Sequence, residues 1–295
     1  MDDLKKSCDL FKEPISNFIA NKLPHWIFVD FFFLKLLDTA QELDIPVIFY
    51  LITTASSVVF CWTPEGNDQR RLPQDMTAPP DWVDFPSQAP KLCGKIRGVV
   101  FDRLDKQNPN TVVFGSEYKL KREEIHEISY GIELSGLPFL FLLAKPDPGG
   151  DDDEVLPPGF ETRTKGSGFV QIGWAPQREI LAHPSIGASL FHAGWSSVVE
   201  NLTHANCLVL LPFIITQPLD TRLLVEKGLA IEVERAEDGS FTRNDIANAL
   251  QMAMVSKEGE ALRARTKEAA NGIFANKELN HSYINNFVDY LKHGV

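Results

Sequence analysis

At 295 residues, with 44% hydrophobic and 23% charged residues, the chain has the make-up of a soluble globular protein long enough for two cores. A net charge of −11 argues against a nucleic-acid backbone or an anionic membrane surface as the main partner. Cys8, Cys61, Cys93 and Cys207 are scattered without CxxC or zinc-type spacing, as expected of reduced packing thiols in a cytoplasmic protein.

The opening "MDDLKKSCDLF" carries acidic residues and no long apolar core, so it does not read as a secretory signal. "HWIFVDFFF" predicts a strand, a helix follows to about Leu43, and "PVIFYLI" predicts the next strand. The apolar stretch Ile45–Trp62 approaches the length of a membrane span. Thr53, Thr54, Ser56 and Ser57 at its centre fit a strand–turn–helix junction better, so no span is expected. From about Thr63 to Gly98 prolines and charges replace any period, which marks a linker or a segment that packs only in a larger context.

Regular patterning then resumes. The strand "NTVVFGSE", the helix "KREEIHEISYGIELSG" and the strand "PFLFLLAKP" lead to an acidic run, Asp147–Gly159. That run lacks calcium-loop spacing and reads as a solvated loop. Beyond it come "GFVQIGW", "ASLFHAGW", the helix "SVVENLTHA", "CLVLLP", the helix "DTRLLVEKG" and "AIEVER". In "SYINNFVDYLKHGV", Tyr283, Ile284, Phe287, Val288 and Leu291 share one helical face, predicting a docking helix. Apolar strands alternating with helices define an α/β class with parallel sheets covered on both faces. "FGSEYKL" has the single Gly115 and no GxGxxG, which counts against a nicotinamide or flavin enzyme. Asn201-Leu-Thr203 and Asn280-His-Ser282 match the glycan-acceptor pattern, but without a secretory signal they read as chance matches.

The chemistry concentrates in "GASLFHAGWSSVVENL", where a buried strand ends at His192 and a helix begins near Trp195. The first amides of a helix lack internal partners and lie at the positive end of its dipole, so a phosphate binds there. Gly194 lets the backbone come close to the ligand, Ser196 and Ser197 add hydroxyls, and His192 can donate to a diphosphate oxygen. Glu200, one turn beyond Ser196, can accept both hydroxyls of a ribose diol. Upstream, Trp174 offers a flat face to a base, and Gln177 offers an amide after the stiff Ala175-Pro176 pair. Downstream, Thr216, Gln217 and Asp220 follow another strand, where sugar hydroxyls would be read. Taken singly these residues have plain structural readings: Trp174 in a core, Glu200 on a helix face, Ser197 as an N-cap. Only their joint spacing at successive strand ends points to a nucleotide sugar.

The run "GWAPQREILAHPSIGASLFHAGWSSVVENL…LLPFIITQPLDTRLL" resembles the PSPG box, the signature of plant UDP-sugar-dependent glycosyltransferases. The resemblance extends from about Leu104 to the end, and its nearest branch adds glucose or rhamnose to flavonoid and terpenoid glycosides. It implies a GT-B fold of two Rossmann-like domains, the N-terminal one incomplete here. Residues 1–98 would be a partial acceptor domain and linker, 99–280 the UDP-sugar domain and 281–295 a docking helix. By the same resemblance Trp174 and Ala175 lie at uracil and Gln177 at the nucleoside. His192, Gly194, Ser196, Ser197 and Ser116 lie at the diphosphate, Glu200 at the ribose, and Trp195, Thr216 and Gln217 at the sugar. UDP-sugar is then the co-substrate, a small-molecule hydroxyl such as that of a flavonoid or terpenoid glycoside the acceptor, and no metal or other cofactor is implied.

Departures from the family pattern matter as much. The family's general-base histidine follows a strand whose segment is not found in this chain, although Asp30 matches that histidine's aspartate partner. His25, five residues before Asp30 on the same extended run, points to the opposite face. Thr216 stands where the family has an aspartate, and Ala193 and Ser196 where it has a cysteine and an asparagine. Three readings therefore stay open: an inverting hexosyltransferase, a relative that at most binds UDP or UDP-sugar, and a partner-binding remnant.

Overall fold

The computed structural model describes residues 10–30, 33, 36–49, 110–116, 119–143, 155–173, 175–214 and 216–293. These fall into two compact units: the described residues of 1–54 together with those of 282–295, and the described residues of 55–281. The expected domain boundary at residue 98 and most of the apolar stretch Ile45–Trp62 lie outside the described residues.

In the smaller unit, α1 (Lys12–Lys22) and α2 (Leu36–Glu42) flank two parallel strands, β1 (Ile27–Val29) and β2 (Val47–Phe49). Ile19, Leu36 and Ile45 are buried together, with Ile15, Ile27, Phe33 and Leu43 packed around them. The two helices are also joined by a 2.8 Å hydrogen bond between the Ser16 and Thr39 hydroxyls. Asp30 directly follows β1, and His25 is exposed in a bend before that strand, not on the extended run expected of it. The apolar face predicted near the C-terminus meets this unit only in part: none of its residues is buried, and Ile284 and Phe287 stay exposed. Trp26 donates its indole N–H to the Leu291 carbonyl at 3.0 Å, and its ring stands 5.9 Å from that of Tyr290. Phe28 meets Phe287 edge-on at 6.1 Å.

The larger unit is built on six parallel strands: β3 (Thr111–Gly115), β4 (Phe139–Leu143), β5 (Gly168–Ile172), β6 (Ile186–Phe191), β7 (Cys207–Leu210) and β8 (Ala230–Glu232). Their spatial order is β5-β4-β3-β6-β7-β8. Alternate residues of one strand enter different cores, as a sheet covered on both faces requires. Val112 and Phe114 pack with Phe139, Phe141 and Leu190, whereas Val113 packs with Leu140, Ile180 and Ile186.

The first face is covered by α3 (Arg122–Ser135) and α8 (Arg243–Met254), which bury Ile128, Ile132, Ile246 and Leu250. Glu127 ties them together, accepting from the Arg243 backbone N–H at 2.7 Å and from its guanidinium, which also lies 4.2 Å over the Tyr130 ring. Short α4 (Phe160–Arg163) and α5 (Gln177–Leu181) border β5, and α6 (Trp195–Thr203) and α7 (Gln217–Glu226) follow β6 and β7. After α9 (Glu258–Ala269) a π-turn, Ala270–Phe274, leads to α10 (Lys277–His293), whose last part belongs to the smaller unit.

Two expectations need correction. The helix read as starting at Asp220 begins at Gln217, because Pro218 sits in the first turn, where its missing N–H has no bond to lose. Asp220 is consequently turned inward and buried, not placed to read a sugar hydroxyl.

Candidate nucleotide-sugar site

The strand order places the site. From β3 the chain moves outward to β4 and β5, then returns to the other side of β3 for β6, β7 and β8. At such a reversal, loops leaving the carboxyl ends of neighbouring strands diverge and open a crevice. A cleft of about 230 Å³ lies there. It is lined by Gly115 and Ser116 after β3, Gly173 and Ala175 after β5, Gln177 on α5, and His192 and Ser197 after β6.

Residues 192–194 turn the chain from β6 into α6. β6 ends at Phe191, Ala193 takes a left-handed φ of 64°, and Gly194 caps α6 with φ −61° and ψ 130°. A buried alanine in that region costs roughly 1–3 kcal/mol, strain of the kind that surrounding structure sustains at functional turns. Gly194 is required for space, not for its dihedral angles. A Cβ there would lie 2.7 Å from His192 Nε2, so the imidazole rests directly on the glycine at the mouth of α6. His192 is buried, which fixes that position. No side chain caps α6 and Val198 N–H already donates to the Gly194 carbonyl, leaving the first-turn amides of Trp195, Ser196 and Ser197 for an anion.

Gln177 and Glu200 come together from different helices: Gln177 Nε2 donates to Glu200 Oε2 at 2.8 Å and lies 3.5 Å from Ser197 Oγ. This pair brings an amide and a carboxylate to one side of the cleft. Ser196 is exposed. Trp195 is half-buried against Phe191, Ala193, Val198 and Leu202, so its ring is partly a packing element. Thr216 and Gln217 stand at the start of α7 and are not among the residues that line the cleft; the Gln217 carbonyl Oε1 accepts from the Phe213 and Ile214 N–H groups at 2.9 and 3.0 Å. Asp30 belongs to the smaller unit. Trp174 lies outside the described residues.

Sequence reading missed two polar residues of the cleft, Ser189 and Asn201. Both are buried polar groups, and Asn201 Nδ2 donates to the Ser197 carbonyl at 2.8 Å. Ser189 sits in an apolar strand and Asn201 within a sequon, so neither carried a pattern that marked it. With Asn201 only 1% exposed, a glycan has no place on it in the folded chain. His183, read as structural, accepts from Ser185 N–H at 3.2 Å. Among the described residues no group of three His, Cys, Asp or Glu side chains could hold a metal, and no helix is long and apolar enough to cross a membrane.

This arrangement is a doubly wound α/β sheet with a cleft at its switch point, and comparison with known proteins gives its family. Residues 115–260 match the model of the family described as UDP-glucoronosyl and UDP-glucosyl transferase. Soyasaponin III rhamnosyltransferase of Glycine max is 46% identical over 195 residues, which are 65% of this chain and 40% of that protein. UDP-glycosyltransferase 91C1 of Arabidopsis thaliana is 30% identical over 368 aligned positions, covering 98% of this chain and 78% of the relative. The chain belongs to the plant UDP-glycosyltransferase family, in the branch of UDP-glycosyltransferase 91C1. That second alignment is longer than the chain's 295 residues, so the relative carries stretches that this chain lacks. Phytolacca americana UGT2, solved with UDP-2fluoro-glucose and pterostilbene, superposes with a TM-score of 0.77. It is 19% identical, with 97% of this chain and 79% of that one covered, a likeness of GT-B fold.

Proposed function

We propose that the cleft between β3 and β6 binds a UDP-sugar, and that the chain transfers the sugar, glucose or rhamnose, to a small-molecule hydroxyl with inversion. The carrying observation is the His192–Gly194 contact at the mouth of an uncapped α6, with Ser116 and Ser197 lining the same cleft. In this reading the diphosphate meets His192, Ser116, Ser196, Ser197 and the first amides of α6. The Glu200–Gln177 pair holds the ribose, Trp174 and Ala175 the uracil, and Trp195, Thr216 and Gln217 the sugar. These groups would stabilise the charge that develops on departing UDP, through donors fixed before reaction.

Residues 99–280 would be the donor domain, and residues 1–98 a reduced second Rossmann-like domain carrying Asp30 and the acceptor. Support for the donor half comes from the family match over residues 115–260 and from relatives solved with UDP-sugars. A second reading, binding without turnover, is favoured by the stretches of UDP-glycosyltransferase 91C1 that this chain lacks. Purified protein given UDP-glucose or UDP-rhamnose with flavonoid and terpenoid glycosides separates the two. Steady release of UDP with glycosylated product supports transfer. Saturable UDP binding without product supports the second reading, and neither result would remove both.

A further inference from the structure

We propose that Arg235, to which no site role was assigned above, positions the sugar-reading loop, and that Gln217 meets the sugar as a hydrogen-bond donor only. This rests on the nucleotide-sugar reading of the cleft and deepens it. The loop begins beside the phosphate turn: Leu211 N–H donates to the Phe191 carbonyl at 2.9 Å, extending the β6–β7 ladder up to Pro212. From Pro212 to Gln217 the sequence Pro-Phe-Ile-Ile-Thr-Gln carries no charge. Its polar reading of a sugar therefore falls to Thr216 and Gln217.

Gln217 is not free to choose its orientation. The backbone N–H groups of Phe213 and Ile214 can only donate, at 2.9 and 3.0 Å, so the atom between them must be the carbonyl oxygen. That bond pair turns the amide nitrogen, with two N–H donors, away from the loop backbone. A sugar hydroxyl read there must act as acceptor.

Arg235 holds the other side of the loop. Val233 N–H donates to the Leu210 carbonyl at 2.9 Å, which carries the chain after β8 alongside the end of β7. From there Arg235 donates one guanidinium nitrogen to the Pro212 carbonyl at 2.7 Å and another to the Gly239 carbonyl. Its guanidinium carbon lies 5.0 Å from the Phe213 ring centre and 5.2 Å from that of Phe241, and the two rings stand 6.2 Å apart. A planar fork can stack on aromatic faces and donate in two directions at once, which an ammonium cannot do. None of these contacts involves a residue lining the cleft, and Thr216 and Gln217 do not line it either, so any effect of Arg235 passes through the loop that carries Gln217 and should fall on the sugar.

The test is calorimetric titration of UDP and UDP-glucose into wild type, Arg235→Met and Gln217→Glu at about 0.15 M salt, where an added charge is screened from the diphosphate. The glutamate keeps two oxygens for the Phe213 and Ile214 N–H groups but cannot donate to a sugar, so it separates the two roles of Gln217. Arg163→Met serves as control: Arg163 also lies near an aromatic ring, that of Tyr130, and pairs with Glu133. The expected result is UDP affinity within about twofold of wild type throughout. UDP-glucose affinity should fall about five- to tenfold in Arg235→Met and Gln217→Glu only, the loss of one hydrogen bond. Parallel loss of UDP and UDP-glucose, no loss in Gln217→Glu, or the same loss in Arg163→Met would overturn the proposal while leaving the cleft as the nucleotide site. A wild type that binds neither ligand at millimolar concentration would overturn that reading as well.

Discussion

Adding one methyl group at Gly194 separates phosphate recognition from the rest of the site. Its φ and ψ of −61° and 130° suit alanine, so Gly194→Ala strains no backbone angle. The new Cβ would instead sit 2.7 Å from His192 Nε2, where non-bonded atoms need about 3.5 Å or more. The ring must retreat by about 1 Å, and it is buried, so it retreats into packed neighbours and not into solvent. A donor–acceptor distance near 2.9 Å stretched by that amount is no longer a hydrogen bond. Losing one bond to a charged diphosphate costs roughly 1.5–3 kcal/mol, about a ten- to hundredfold weakening of UDP. Overpacking of about 1–3 kcal/mol is partly offset by about 0.4–1 kcal/mol from the stiffer unfolded chain, so the fold should survive. Calorimetric titration of UDP against uridine, which has no phosphates, isolates the effect: UDP should weaken and uridine should not. Equal weakening of both, or none, would refute the assignment of His192 to the diphosphate.

Three further expectations concern the scaffold. Gly168→Ala would bring a methyl within 2.0 Å of Phe139 Cζ across the β4–β5 ladder, and should destabilise by at least the ~1–3 kcal/mol of ordinary overpacking in urea unfolding. The hydrogen-bonded Arg243 guanidinium holds the Glu127 carboxyl below the usual carboxylate range. A depressed folded value means stability present above the unfolded value and lost as pH falls through the folded one. Glu127→Gln should therefore cost about 1 kcal/mol at neutral pH and progressively less below about pH 4, by chemical denaturation across pH. Burial pushes the Cys207 thiol up to about 11, so in a variant whose Cys8, Cys61 and Cys93 are replaced by serine Cys207 should react with a disulfide reagent only on unfolding. The unfolded thiol ionises first as pH rises past its ordinary value, so it contributes a decline in stability toward pH 11, and the total decline should be smaller in Cys207→Ala.

How far the sequence could be read depended on whether local pattern or tertiary pairing decided the outcome. The junction at His192 was legible because an apolar strand, a glycine and an amphipathic helix follow one another within sixteen residues; β6 ends and α6 begins where the pattern places them, although α6 stops at Thr203, short of the predicted Ala205. The helix Arg122–Ser135 was legible for the same reason, its ends marked by Lys121 and by Gly136 in the left-handed conformation. Short α4 and α5, of four and five residues, have too few turns to show a period. The start of α7 was misplaced because Pro218 reads locally as a breaker, although the first turn accepts it. Strand order was not readable at all, since the pairing of β3 with β6 joins residues about 75 positions apart in a sheet whose other pairings the local pattern allows equally. Arg235 beside Phe213 and Phe241 belongs to the same category: its partners are spread over thirty positions without a period, and only the folded chain brings them together.

A crystal structure with UDP tests the central claim most directly. The account predicts the diphosphate at the mouth of α6, within hydrogen-bond distance of His192 and the amides of Trp195 and Ser196, with the ribose at Glu200 and Gln177. Nucleotide density elsewhere on the protein, or an empty cleft after soaking at millimolar UDP, would contradict it.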